Sequence, residues 1–171
     1  GALAYTSSAQ HLRETPAWLG LTFDDLADVG DNPDGVAIAE RARSWPEVEA
    51  VSHLLLFLPP LGLGPDRQLS RAIAFSTGPD AVKPAVIEGR APEGVDELLL
   101  SPNLADLLDT GVGDRIDAAF DNSEFSDDEP NAFHLEVVGI GPVPVGDGRT
   151  IHGAAITYEG ALAGLPPELT E

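Results

Sequence analysis

The sequence predicts an α+β fold, with short helices set among β-structure and no β-α-β-α rhythm. Three observations carry that reading. Apolar and polar residues alternate over 68–76, the period of a half-buried strand. Short apolar runs at 48–58, 97–100, 115–120, 133–140 and 154–158 are punctuated by Gly, Pro, Asn and Asp. The helical stretches between them are brief and are stopped by proline or glycine.

In chain order, residues 2–14 read as a weak helix that Thr15-Pro16 ends, because the residue before a proline avoids helical angles. Residues 21–26 form a candidate strand. Residues 28–35 (DVGDNPDG) are a turn cluster. Residues 36–44 read as a helix, with Val36, Ile38, Ala39 and Ala42 near helical spacing, Asp34 as N-cap and Pro46 past its end. Residues 48–58 read as a buried strand. In 68–76, Leu69, Arg71 and Ile73 alternate with Ser70, Ala72 and Ala74. After the strand at 97–100, Ser101-Pro102 opens a helix over 103–108, serine as cap and proline at its first position, with Leu104, Leu107 and Leu108 on one face. Gly111 and Gly113 end it. Strands at 115–120 and 133–140 flank the sequence DNSEFSDDEPN, read as a mobile loop, with five acids and no base in 121–130. A strand at 154–158 and a helix at 159–165 close the chain before Pro166-Pro167. No repeat recurs at a fixed period. The apolar stretch 51–64 reads as core rather than as a subunit interface.

The chain has 171 residues, enough to bury roughly 70% of its unfolded surface. Nine basic residues stand against 29 acidic ones, a net charge of −20, and Lys83 is the one lysine. A polyanion is repelled by phosphate backbones, so nucleic-acid binding is excluded, as is adhesion to an anionic lipid surface. The absence of cysteine excludes disulfides, thiolate metal sites and cysteine nucleophiles, and leaves the compartment open. No methionine occurs and the chain opens Gly1-Ala2-Leu3, which reads as a piece of a longer protein. The longest apolar run, 54–64, is broken by Pro59-Pro60 and falls short of the roughly 20 residues of a membrane span.

Chemistry is sparse. The histidines are His11, His53, His134 and His152. His134 and Glu136 share a strand face, but a zinc site needs a third ligand and none is near in sequence. Asp24, Asp25, Asp28, Asp31 and Asp34, like the acids of 121–129, lack the spacing of a calcium loop and read as solvated surface. No G-x-S-x-G elbow is present. Gly139-Ile140-Gly141-Pro142 lacks the third glycine and the following acid of a dinucleotide loop. The expectation is therefore no enzyme, with no catalytic, cofactor-binding or metal-binding residues and no cofactor.

Residues 86–117 read VIEGRAPEGVDELLLSPNLADLLDTGVGDRID. Gly89-Arg90-Ala91-Pro92 makes a G-R-x-P turn, followed by the acidic and apolar Asp96-Glu97-Leu98-Leu99-Leu100. Leu104-Ala105 to Leu108 follow on a helix, then Val112-Gly113-Asp114-Arg115-Ile116, and a later strand ends Val137-Val138-Gly139-Ile140. Upstream lie Trp45-Pro46-Glu47-Val48 and, near the start, Thr15-Pro16, Gly20 and Phe23-Asp24. This ordered set resembles the extracytoplasmic (MacB-like periplasmic core) domain of FtsX-like ABC transporter permeases. The resemblance implies an α/β subdomain made from both chain ends, residues 1–83 plus 150–171, with an inserted β-rich subdomain at 84–149. It implies a cell-membrane location, with the domain on the extracytoplasmic side between flanking spans. ATP hydrolysis would belong to a separate cytoplasmic ABC ATPase subunit. The domain would pass that motion to substrate export or release, or to an extracytoplasmic protein or lipoprotein partner. The competing expectations are a secreted or cell-wall binding module without catalysis, and a hydrolase built on two of the many carboxylates.

Overall fold

The computed structural model describes residues 22, 35–55, 58–78, 81–121, 123, 132–143 and 153–165. The expected helix at 2–14, nearly all of the strand at 21–26 and the turn at 28–34, with Asp34, lie outside them. The described elements are α1 (Gly35–Arg43), β1 (Leu54–Leu55), β2 (Leu61–Leu63), β3 (Gln68–Phe75), β4 (Glu88–Gly89), β5 (Glu97–Leu100), α2 (Pro102–Leu108), β6 (Arg115–Phe120), β7 (Ala132–Ile140), β8 (Gly153–Thr157) and α3 (Tyr158–Gly164).

Six of these strands pair in the closed order β3-β2-β6-β7-β5-β8 and back to β3. The β3–β8 and β5–β7 ladders are parallel, and the remaining four are antiparallel. β1 pairs with the last two residues of β3, on the edge opposite β8 and beyond β2, and β4 with the end of β7. The predicted α+β, MacB-like class is thus corrected: the protein is mostly β, a closed six-stranded barrel rather than an α/β subdomain with a β-rich insert. The physical reason lies at the strand edges. β2 and β8 come from the outer parts of the chain, and each pairs through three residues with a strand of the 84–149 stretch, β6 and β5 respectively. Those two seams turn two three-stranded ribbons into one cylinder with no free edge between them.

Period-2 alternation fills the interior. Each strand sends two residues inward at i and i+2: Leu61 and Leu63, Ala72 and Ala74, Leu98 and Leu100, Ala118 and Phe120, Leu135 and Val137, Ala154 and Ile156. Alanines on β3 share this interior with leucines on β2 and β5, so large and small side chains together fill the barrel. A second cluster, Ile73, Phe75, Leu99, Ala155 and Val143, lies on the opposite face of β3, β8 and β5. Leu69 and Arg71, on that same face of β3, are exposed.

The architecture repeats although the sequence shows no period. The order β2-β3-β5-α2 recurs as β6-β7-β8-α3. Each unit is an antiparallel hairpin whose third strand crosses over to run parallel with the second strand of the other unit. Because β5 and β8 are antiparallel and run directly into α2 and α3, the helices leave from opposite ends of the barrel. Leu104 and Ala105 of α2 and Ala161 of α3 are buried against the interior cluster.

The expected strand at 48–58 shrinks to the two-residue β1 among the described residues. Pro59 and Pro60 have no N–H to give a ladder. The stretch therefore breaks, and the fully buried β2 begins at Leu61, where no separate strand is expected. The core reading of 51–64 holds at Leu61 and Leu63, while Leu54 and Leu55 are half-buried. β3, β5, β6, β7, β8 and all three described helices fall within a residue or so of their expected positions.

Candidate functional site

The motif residues of 86–117 converge in space on β7. Gly89 has φ +76°, and a Cβ there would collide with the Val138 carbonyl. The next residue, Arg90, donates its backbone N–H to the same carbonyl at 2.9 Å. The Arg90 guanidinium forks onto Glu97, with Nη1 donating to Oε2 at 2.7 Å and Nη2 to Oε1. Glu97 Oε2 also accepts the backbone N–H groups of Glu93 (2.8 Å) and Gly94 (3.0 Å). The Arg90 guanidinium, helped by these amides, holds the Glu97 carboxyl down at about 2. Further on, the Gly113 N–H donates to the Val137 carbonyl at 2.7 Å, and the Val137 N–H donates to the Asp114 carbonyl at 2.8 Å. The Asp114 carboxylate accepts the Gly111 N–H at 2.8 Å, the turn role its sequence position implies. The G-R-x-P turn, the strand β5 and the V-G-D turn are therefore one framework strapped to β7. The Arg90 and Glu97 side chains are spent on the chain itself.

The other candidates are placed as follows. His134 Nδ1 lies 2.8 Å from Asp117 Oδ1 across the β6–β7 ladder, and Glu136 pairs instead with Arg115 at 3.3 Å. The strand face is an exposed ladder of charge pairs. No cluster of three metal-ligating side chains occurs among the described residues. Ser101 sits at the N-cap of α2 without a capping bond from its side chain. Its Oγ accepts the Gly153 N–H at 3.0 Å instead, tying α2 to β8. Thr157, at the matching place before α3, does cap its helix, accepting from the Gly160 N–H at 2.9 Å and donating to the Gly94 carbonyl at 3.2 Å. Gly139 and Gly141 pack against the backbone of Arg90 and Ala85, which is close packing of strands and not a phosphate loop. His11, His152 and the acids of 24–34 lie outside the described residues, as do those of 124–129.

One concavity was not anticipated from the sequence. A cleft of about 360 Å³ lies where the end of β3 meets the G-R-x-P turn, and it includes Lys83 and Glu93. Lys83 Nζ donates to Glu93 Oε1 at 3.0 Å. The signal available in the sequence was the singularity of that lysine in so acidic a chain. No protein-family model matches this chain, and no curated protein matches it.

Proposed function

We propose that this chain is the extracytoplasmic, non-catalytic domain of an ABC transporter permease. In this reading it relays motion driven by a separate cytoplasmic ABC ATPase to substrate export or release, or to an extracytoplasmic protein or lipoprotein partner. The observation that carries the reading is where the chain joins the barrel. It enters the sheet through β1 and leaves the sheet through β8 into α3, and both strands flank β3 at one residue: Leu54 and Thr157 are each registered on Phe75. Two strand spacings, about 10 Å, separate the two connections. A domain set between two segments of a host chain needs both connections on one side. The ordered motif set supports the same reading, because its pieces build one framework around β7 and are not scattered turns.

The test is to read the parent protein on both sides of this chain and to isolate it with its neighbours from membranes. The expected result is a span of roughly 20 apolar residues on each side and co-purification of an ABC ATPase. Polar flanks on both sides contradict the proposal and leave a free binding module as the better reading.

A further inference from the structure

The cleft beside β3 holds the one lysine of a strongly acidic chain. Its walls include Phe75, Ser76, Thr77, Lys83, Pro92 and Glu93. Phe75 and Pro92 are buried and apolar, and Thr77 is exposed. The loop that carries Lys83 is tethered: the Val82 N–H donates to Ser52 Oγ at 2.6 Å, and Thr22 Oγ1 donates to the Lys83 carbonyl at 2.6 Å. On the other wall, the Glu93 N–H is held by Glu97. The two charged groups thus sit on anchored backbone.

Their pairing leaves capacity unused. Among the described residues, Lys83 Nζ spends one of its three donors on Glu93, and Glu93 Oε2 takes no bond. Both side chains are more than half exposed, at 54% and 62%, so the pair holds its members weakly and a ligand displaces little by taking them over. A lone anion meets the repulsion of Glu93, and a lone cation that of Lys83. A molecule carrying both charges a few ångströms apart satisfies both. At about 360 Å³ the cleft lies near the small end of ligand pockets, too small for a nucleotide and large enough for an amino acid.

We propose that this cleft binds an α-amino acid with an apolar side chain. The ammonium lies on Glu93, the carboxylate on Lys83, and the side chain over the half-buried Ala81. The Ser76 and Thr77 hydroxyls offer further hydrogen bonds to the carboxylate. This inference is independent of the transporter reading.

The experiment is an amide NMR titration of the full chain with leucine, N-acetyl-leucine and leucinamide. The expected result is saturable shifts at Ser76, Thr77 and Gly78 with leucine, and binding weakened at least about tenfold for either single-charge analogue. Lys83→Met and Glu93→Gln should each weaken leucine by a similar factor. The double variant Lys83→Glu with Glu93→Lys keeps an ion pair and serves as the control for fold. No saturable shift up to about 10 mM leucine overturns the proposal. So does equal binding of all three ligands, or binding unchanged in both single variants while their spectra stay folded.

Discussion

At the residue scale, Glu97 is the most heavily engaged carboxylate described, holding the Arg90 fork and two backbone amides. Its folded pKa of about 2 lies below the ordinary 4.5. The folded protein therefore holds this proton more weakly than the unfolded chain. The resulting stabilisation is complete above pH 4.5 and is lost as pH falls toward about 2. Glu97→Gln should cost about 1–2 kcal/mol at neutral pH, discounted for the exposed guanidinium, and should flatten the stability profile across that acid window. Urea titrations of both proteins at several pH values check this. A second pair of substitutions separates two costs of a left-handed glycine. Gly89 and Gly113 both have positive φ, but only Gly89 faces backbone at its missing Cβ, whereas the space at Gly113 is open. Gly113→Ala should lose about 1 kcal/mol from backbone strain alone, and Gly89→Ala clearly more, read as the difference in thermal midpoint.

At the element scale, local signals were legible where a strand or helix is specified by its own residues. The alternation in β3 and the Ser101-Pro102 start of α2 identify elements now seen, whereas the left-handed residue that ends α2 is Asp109, ahead of the expected stop at Gly111 and Gly113. β2 was not legible, because three residues after a double proline carry no period of their own. What makes Leu61–Leu63 a strand is the pair of neighbours, β3 and β6, on its two sides. The matched residues Ser101 and Thr157 were equally opaque. As helix caps they look alike in sequence, yet Ser101 spends its Oγ on β8 and Thr157 both caps α3 and reaches Gly94. Thr157→Val keeps the shape and removes both bonds, leaving a buried donor and acceptor unpaired. It should cost about 2 kcal/mol, while Thr157→Ser should recover most of that. Chemical denaturation of the two variants distinguishes hydrogen bonding from packing.

At the scale of the whole molecule, closure of the barrel was beyond the sequence. A strand's period says which face is buried but not which neighbour lies at its edge. The seams β2–β6 and β5–β8 join residues far apart in the chain. The cleft was illegible for the same reason: Phe75, Lys83 and Glu93 meet only because β3, the loop after it and the G-R-x-P turn are folded together. Exchange of the third strands means that neither β-β-β-α unit can complete its own sheet. The barrel should therefore unfold in one cooperative step, and fragments divided between Thr110 and Gly111 should be unfolded when separate. Coincident transitions by circular dichroism and by the NMR amide signals of β3 and β7, one strand from each unit, are expected. Two separated transitions would mean that the halves are independent.

A relay domain of the proposed kind lies on the extracytoplasmic side of the membrane. Because the chain contains no cysteine, Asp66→Cys places a single thiol in this domain, on the exposed turn between β2 and β3. The decisive measurement is labelling of that thiol, in the parent protein within intact protoplasts, by a membrane-impermeant maleimide. Full labelling without permeabilisation is the expected result. Labelling that appears only after the membrane is broken would place the barrel on the cytoplasmic side and contradict the proposed function.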